Sequence, residues 1–372
     1  MELYYQSQKI IDYFLTVPKK KKYFTDKERG VYVPKTRITI ADWMNTWFRD
    51  YGFPKWREGT RATNRRIIDL HIIPQLGVYK LQDLRPEHIQ RFLNYMINLP
   101  VREGHDGSAT VKRRMAVLRA ALKQAADNDL IPKNPADKIK DPQVHMKETH
   151  ALTDAEHAAL LDALPDTTNG RAIRFALSTG LRGEELYGLV WGDIADDMMN
   201  IRRTCQYLIT VDANGKRSDK AELVIGLPKS DRSRRPVPLN STALMVLNEQ
   251  LKAQRIQRMK AGSAWDNAPH GKHSIGNNEN WIFATTIGTA TDRNNIDRTL
   301  RTALQKAECG VSVGLHALRH TFGTNVYNNT CDVKAVSALM GHADESFTTR
   351  TYIHTNADRT RAAVSTIDRS NK

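Results

Sequence analysis

Thr179-Gly-Leu-Arg-Gly-Glu-Glu-Leu186 reads as a helix end, a bend and a helix start in one short stretch. Gly180 closes a helix that carries Ile173, Phe175 and Ala176, because glycine takes the left-handed conformation that ends helices at little cost. Arg182 then sits on the tight turn before the next helix, three residues ahead of Glu185. Three further segments stand out downstream. They are Leu227-Pro-Lys-Ser-Asp-Arg-Ser-Arg-Arg-Pro-Val-Pro-Leu239, His316-Ala-Leu-Arg-His320, and Leu339-Met-Gly-His342, which lies ten residues before Tyr352. His316 and Arg319 are three apart and share a helix face. Lys229 is expected in a β-hairpin turn, where a long side chain can reach into a groove, and His342 follows Gly341 at a helix end.

This set suits attack on a phosphodiester. The diester is anionic and its transition state gathers charge on the non-bridging oxygens, so fixed cations close by stabilise it. Arginine serves best, because its planar fork gives parallel hydrogen bonds to phosphate oxygens. A tyrosine hydroxyl titrates near ~10 and needs a base or a positive field to react at neutral pH. Histidine and lysine carry the protons. Singly, each segment admits a plainer reading: Arg182 as a surface ion pair with Glu185, His316 as a satisfied core histidine, Tyr352 as a packed ring. The conjunction, in this order and spacing, favours chemistry.

The bulk properties agree. The 372 residues allow roughly two to three domains. A net charge of +15 points to a polyanionic partner, with an unspecialised basic surface or an anionic membrane surface as the weaker readings. No run approaches the ~20 apolar residues of a membrane span, and Met1–Ile10 lacks the order of a secretory signal. A cytoplasmic protein is the simple reading. Cys205, Cys309 and Cys331 are odd in number and widely spaced, which suits buried thiols rather than disulfides and gives a zinc site no support. No metal and no cofactor is expected, since P-loop spacing and clustered metal ligands are both lacking.

Along the chain, residues 1–37 carry nine Lys/Arg against four Asp/Glu, with Lys19 to Lys22 in a run. They read as a DNA-contacting tail, a remnant of an accessory domain, or a solvated stretch. Residues 38–130 predict four amphipathic helices. The first buries Trp43, Met44, Trp47, Phe48 and Tyr51. The second begins near Thr60 and closes at Pro74 and Gly77. The third starts at Pro86, and the fourth runs from about Ser108 to Asn128. Arg61, Arg65 and Arg66 on the second, and Lys112, Arg113, Arg114 and Arg119 on the fourth, are candidate phosphate contacts; the plain alternative is a solvated helix face. Residues 131–150, with Pro132, Pro135 and Pro142, predict an interdomain linker. Residues 151–357 form a second unit, opened by the capping box Thr153-Asp-Ala-Glu156, with strands near 199–210 and 221–226. Residues 261–280 read as a surface insertion, and 358–372 as a polar tail.

The four segments and the tyrosine resemble those of the tyrosine recombinases, the family of phage and conjugative-element integrases. That family carries T-G-x-R-x-x-E-L, K-[TS]-x-x-S-x-R-x-[IV]-P-L, H-x-L-R-H and L-[GM]-H, with a tyrosine about ten residues on. The resemblance extends to the first unit through His71-Ile-Ile-Pro-Gln-Leu-Gly77 and Leu81-Gln-Asp-Leu84, and covers about residues 38–357. It is weak in residues 1–37, where many integrases carry an arm-binding domain. It implies a mainly α fold with a small β-sheet: a four-helix SAM-like core-binding domain followed by an α+β catalytic domain. It places Arg182, Lys229, His316, Arg319, His342 and Tyr352 in the catalytic positions, with Tyr352 as nucleophile and Glu185 and His320 in support. It implies double-stranded attachment sites as substrate, a homotetramer on paired sites, and an accessory DNA-bending or excision factor. A type IB topoisomerase and a DNA-binding regulator without catalysis are the competing readings; a third, a nuclease using water and metal, lacks carboxylate clusters of suitable spacing.

Overall fold

The computed structural model describes residues 35–101, 107–144, 150–229, 231–266 and 280–341. It divides into two compact units, Met1–Lys147 with Ile209–Lys220, and Glu148–Leu208 with Ala221–Lys372.

In the first unit, Thr39 opens helix α1 (Ile40–Thr46) with a capping box. Its backbone N–H donates to Asp42 Oδ2 at 3.0 Å, and the Asp42 N–H donates to Thr39 Oγ1 at 3.1 Å. The helix continues through a wider π-type turn, Trp47–Gly52, that keeps Trp47 and Phe48 buried. Helix α2 (Glu58–Ile67) passes through a second such turn, Ile68–Ile72, into α3 (Ile73–Leu76). Pro74 does not end this helix as expected. It sits in the first turn of α3, where a proline is tolerated, and the chain stops at Gly77. Helix α4 (Pro86–Ile97) starts on its proline, and α5 is Ser108–Asp127. Phe48, Ile68, Ile72, Ile89, Met96, Met115, Leu118 and Leu122 close one core. Each such side chain contributes about 1.5–3 kcal/mol by leaving water. The Trp43 indole N–H is satisfied inside it by the Ala121 carbonyl at 2.9 Å.

The stretch expected as a linker is folded onto this unit as far as Asp141. Ile131 and Ala136 join the core, and Asp141 pairs with Arg119 at 2.8 Å. Val211, from the 209–220 segment, is buried in the same core.

The second unit opens with α6 (Asp154–Ala163), capped by Thr153 and Glu156 as its sequence predicts. Helix α7 (Thr168–Thr179) is central and ends at Gly180; the short α8 (Gly183–Tyr187) follows. Strands β1 (Ile194–Ala195), β2 (Met198–Asn200), β3 (Thr204–Leu208), β4 (Glu222–Gly226) and β5 (Pro236–Pro238) build two small antiparallel sheets. One has the order β1-β2-β5, with Met199 opposite Val237; the other is the β3–β4 hairpin, with Cys205 opposite Ile225. Helices α9 (Ser241–Ala261), α10 (Arg293–Lys306), α11 (Leu315–Thr330) and α12 (Val333–Met340) complete it. Helix α7 packs against α9, α10 and α11. Phe175 meets Phe283 at its centre, with ring centroids 5.5 Å apart. The fold is mainly α with small sheets. Most of the expected insertion, residues 267–279, lies outside the described residues.

Candidate active site

The two ends of the Thr179–Leu186 stretch do what its glycine and arginine predict. Gly180 takes φ +64°, and a Cβ there would lie 2.2 Å from the Phe322 ring, so both conformation and packing require glycine. The freed carbonyl of Gly180 accepts from Arg319 Nη1 at 2.8 Å. Two residues on, Arg182 caps α8. Its backbone N–H donates to Glu185 Oε2 at 3.1 Å and its Nη1 to Oε1 at 2.7 Å. The plain reading of Arg182 as a partner of Glu185 therefore holds, but not on the surface, because Glu185 is only 1% exposed.

A second arginine meets the same carboxylate. Arg235, 8% exposed, donates from Nη1 and Nη2 to the two Glu185 oxygens at 3.2 and 3.3 Å. The three arginines then converge on one helix end. The last carbonyls of a helix lack partners within it, and cations are favoured there by the helix dipole. At the end of α12, Arg235 Nε donates to the Leu339 carbonyl at 2.7 Å, Arg319 Nη2 to that of Met340, and Arg182 Nη2 to that of Gly341 at 3.0 Å. Two guanidinium groups, Arg182 and Arg235, thus bind a single buried carboxylate, and Arg319 adds its charge close by. Burial alone would raise the Glu185 carboxyl, but Arg235, then Arg182 and Arg319, overcome it and hold it below the usual range. The surplus of positive charge is what an anionic substrate would neutralise.

His316 and His320 stand in the first turns of α11, their rings edge to face with centroids 4.8 Å apart. Protein crowding, then Arg319 and Arg182, lowers His316, although its ring remains open to solvent. Burial, then His316 and Arg319, pushes His320 down to about 4. Both are neutral at pH 7. A histidine lowered by folding opposes protonation. The unfolded chain takes up that proton near ~6.5, so the stabilisation is complete above that pH and is lost as pH falls towards 4. We expect about 1–2 kcal/mol of unfolding free energy to be lost between pH 7 and 5, and His320→Gln to flatten that slope. Denaturant titrations at several pH values measure it; an unchanged slope in the variant would contradict the assignment.

Lys229 differs from expectation. The hairpin turn joins β3 to β4 at 209–221, whereas Lys229 is exposed in the 227–235 segment leading from β4 to β5, strands that pair in different sheets. The pairing of β4 ends at Gly226, opposite Thr204, so the chain leaves that sheet before reaching Lys229. His342 and Tyr352 lie outside the described residues; Gly341, adjacent to His342 in sequence, has φ +59°.

Of the seven candidate phosphate contacts on the first unit, three are paired with carboxylates within it. Arg61 pairs with Glu58 at 2.9 Å and lies over the Phe53 ring. Arg65 pairs with Asp69 and Asn45, and Arg119 is tied to Asp141 and the Ile139 carbonyl. Lys112 is exposed. Arg66, Arg113 and Arg114 line a groove between α2 and α5 together with His71. Burial, then Arg114 and Arg66, lowers His71, whose Nδ1 is buried without a partner.

The residues that sequence reasoning missed are Arg235 and His71. Arg235 carried a signal. Ser233, Arg235, Val237 and Leu239 are buried and alternate with exposed Arg234, Pro236, Pro238 and Asn240. Extending the period of two back from Val237 turns Arg235 inward. Among the described residues no cluster of three or more His, Cys, Asp or Glu could hold a metal, and no helix is long and apolar enough to cross a membrane.

Comparison with known proteins fits this geometry. The sequence model of the phage integrase family matches residues 150–359, and that of the phage integrase N-terminal SAM-like domain matches 39–97. A tyrosine recombinase XerC-like protein of Caldanaerobacter subterraneus is 27% identical over 94% of this chain and 88% of its own. A Tn1549 transposon integrase solved with a circular intermediate DNA superposes with a TM-score of 0.69 at 19% identity, covering 89% of this chain and 99% of that one. A lambda integrase tetramer solved on a Holliday junction gives 0.59 at 16% identity, covering 87% and 80%. The two structures share the fold; the family model spans more than half of the chain, including the arginine cluster. This chain belongs to the phage integrase family and is a site-specific recombinase of the tyrosine type.

Proposed function

We propose that Arg182 and Arg319, with His342, hold a scissile DNA phosphate, and that Tyr352 attacks it. The tyrosine oxygen forms a bond to phosphorus as the bond to the 5′-oxygen breaks, leaving a 3′-phosphotyrosyl link. Lys229 gives its proton to the departing 5′-oxygen, and neutral His316 handles the proton of the nucleophile. Glu185 fixes Arg182, and His320 supports His316 through the ring contact. The 5′-hydroxyl of a partner strand then reverses the step, so the phosphodiester energy is conserved without ATP. The observation that carries this reading is three arginines around one buried carboxylate, fastened to the carbonyls immediately before His342.

In the same reading, residues 38–130 form the core-binding domain and 151–357 the catalytic domain. Arg66, Arg113 and Arg114 are the phosphate contacts of the first. Arg61, Arg65 and Arg119 act on DNA less directly, since their guanidinium groups are engaged within the chain. The substrates are double-stranded attachment sites of a mobile element, integrated or excised by a homotetramer on two paired sites, with an accessory DNA-bending factor. The DNA-bound transposon integrase and the lambda tetramer support this by likeness of fold.

The test is covalent trapping. The protein is incubated with chelator and no ATP on labelled duplex from the ends flanking its own gene, nicked near the crossover. Label that survives denaturing electrophoresis on that DNA, and not on unrelated duplex, is the expected result. Capture on any duplex would mark a topoisomerase instead, and tight binding without capture, even with a paired second site supplied, a regulator.

A further inference from the structure

Arg182 and Arg235 grip the same carboxylate and the same helix end, yet their hydrogen-bonding states differ. A guanidinium has five N–H donors. Four of those of Arg235 are committed within the chain: Nε to the Leu339 carbonyl, Nη1 to Glu185 Oε1 and the Ser233 carbonyl, and Nη2 to Glu185 Oε2. Among the described residues, Arg182 commits side-chain donors to Glu185 and the Gly341 carbonyl, and 34% of its side chain is exposed. Arg182 keeps exposed donors for a substrate; Arg235 is buried and keeps a single one. Arg235 also lies against Gly341, where a Cβ would come within 2.7 Å of its Nη1.

We infer that Arg235 is a positioning residue for strand cleavage. It registers three parts of the site: the 227–235 segment that carries Lys229, the carboxylate that orients Arg182, and the helix end from which the chain runs on to His342 and Tyr352. The inference rests on Tyr352 being the nucleophile. In-line displacement demands that nucleophile, phosphorus and leaving oxygen be aligned, and a displacement of ~1 Å costs on the order of 100-fold in rate. The planar fork of arginine holds a carboxylate and a carbonyl together in a fixed geometry; lysine offers a point charge without that geometry.

The experiment compares the full chain with Arg235→Gln, Arg235→Lys and Lys229→Ala in single-turnover covalent capture, on nicked duplexes whose scissile leaving atom is either the natural 5′-oxygen or a 5′-bridging sulfur. Sulfur leaves as a thiolate and needs no proton, so it bypasses the acid. Both Arg235 variants are expected to lose about 100-fold in the capture rate constant, with DNA affinity within about threefold of the parent. The loss should persist on the sulfur substrate, whereas Lys229→Ala should recover there. A variant that merely folds poorly would capture less DNA at the parental rate constant, and Arg235→Lys keeps the charge if Arg235→Gln fails to fold. Parental rate constants in both variants, or rescue of the Arg235 variants by sulfur, would overturn the inference while leaving the tyrosine mechanism intact. No capture by the parent chain would overturn the mechanism, and this inference with it.

Discussion

Tyr352→Phe is expected to leave DNA affinity within about twofold and to reduce covalent capture by at least about four orders of magnitude. Phenylalanine keeps the ring but removes the oxygen that bonds to phosphorus in this mechanism. Affinity should survive because it rests on cations facing phosphates, and those are untouched. Tyr187 and Tyr207, in the same unit, are poor substitutes. Burial, then Asp297, raises Tyr187, and burial raises Tyr207, so neither is poised to ionise. Gel shifts give the affinity and denaturing gels the capture. Parental capture by the variant would remove Tyr352 from the mechanism.

Glu185→Leu is expected to cost about 3–5 kcal/mol of stability and to abolish capture at 37 °C. The leucine side chain fills part of the space but leaves Arg182, Arg235 and Arg319 with no carboxylate among them. An uncompensated buried charge is among the costliest single lesions in a protein. Glu185→Gln keeps the shape and one acceptor oxygen and should lose less. The lowered carboxyl of Glu185 gives a second signature. A carboxylate held low by folding contributes stability above its unfolded value that is lost as pH falls through the folded one, so the acid limb of the parent's stability curve should be shallower in Glu185→Gln. Denaturant unfolding across pH 3–7 measures both effects. Parental stability in Glu185→Leu would mean that the arginines find enough compensation elsewhere.

Much of this architecture was legible because its signals are local. The capping box at Thr153, the proline that starts α4 and the glycine that ends α7 each act within one turn of chain, and each holds in the structure. The grouping of Arg182 with Glu185 is equally local, three residues on a helix start. What escaped depends on partners far along the chain. Arg235 reaches Glu185 fifty residues away and Leu339 more than a hundred away. Arg119 finds Asp141, which draws an apparent linker onto the first unit. Lys229 was assigned to a hairpin turn because strand boundaries alone do not reveal which strands pair; β4 turns back on β3, and β5 leaves for β2. Charge on a helix face is ambiguous for the same reason. Arg65 and Arg66 are adjacent, yet one is spent on Asp69 and Asn45 while the other lines the groove beside His71.

The central claim is that the DNA becomes bonded to one tyrosine, and mapping that bond tests it most directly. The covalent complex is formed on nicked duplex, digested with nuclease and trypsin, and its nucleotide-bearing peptide sequenced by mass spectrometry. The account predicts the nucleotide on Tyr352, within the peptide spanning residues 351–359 that lies between Arg350 and Arg359. A nucleotide on any other residue, or no nucleotide-bearing peptide from DNA that the protein binds tightly and specifically, would contradict it.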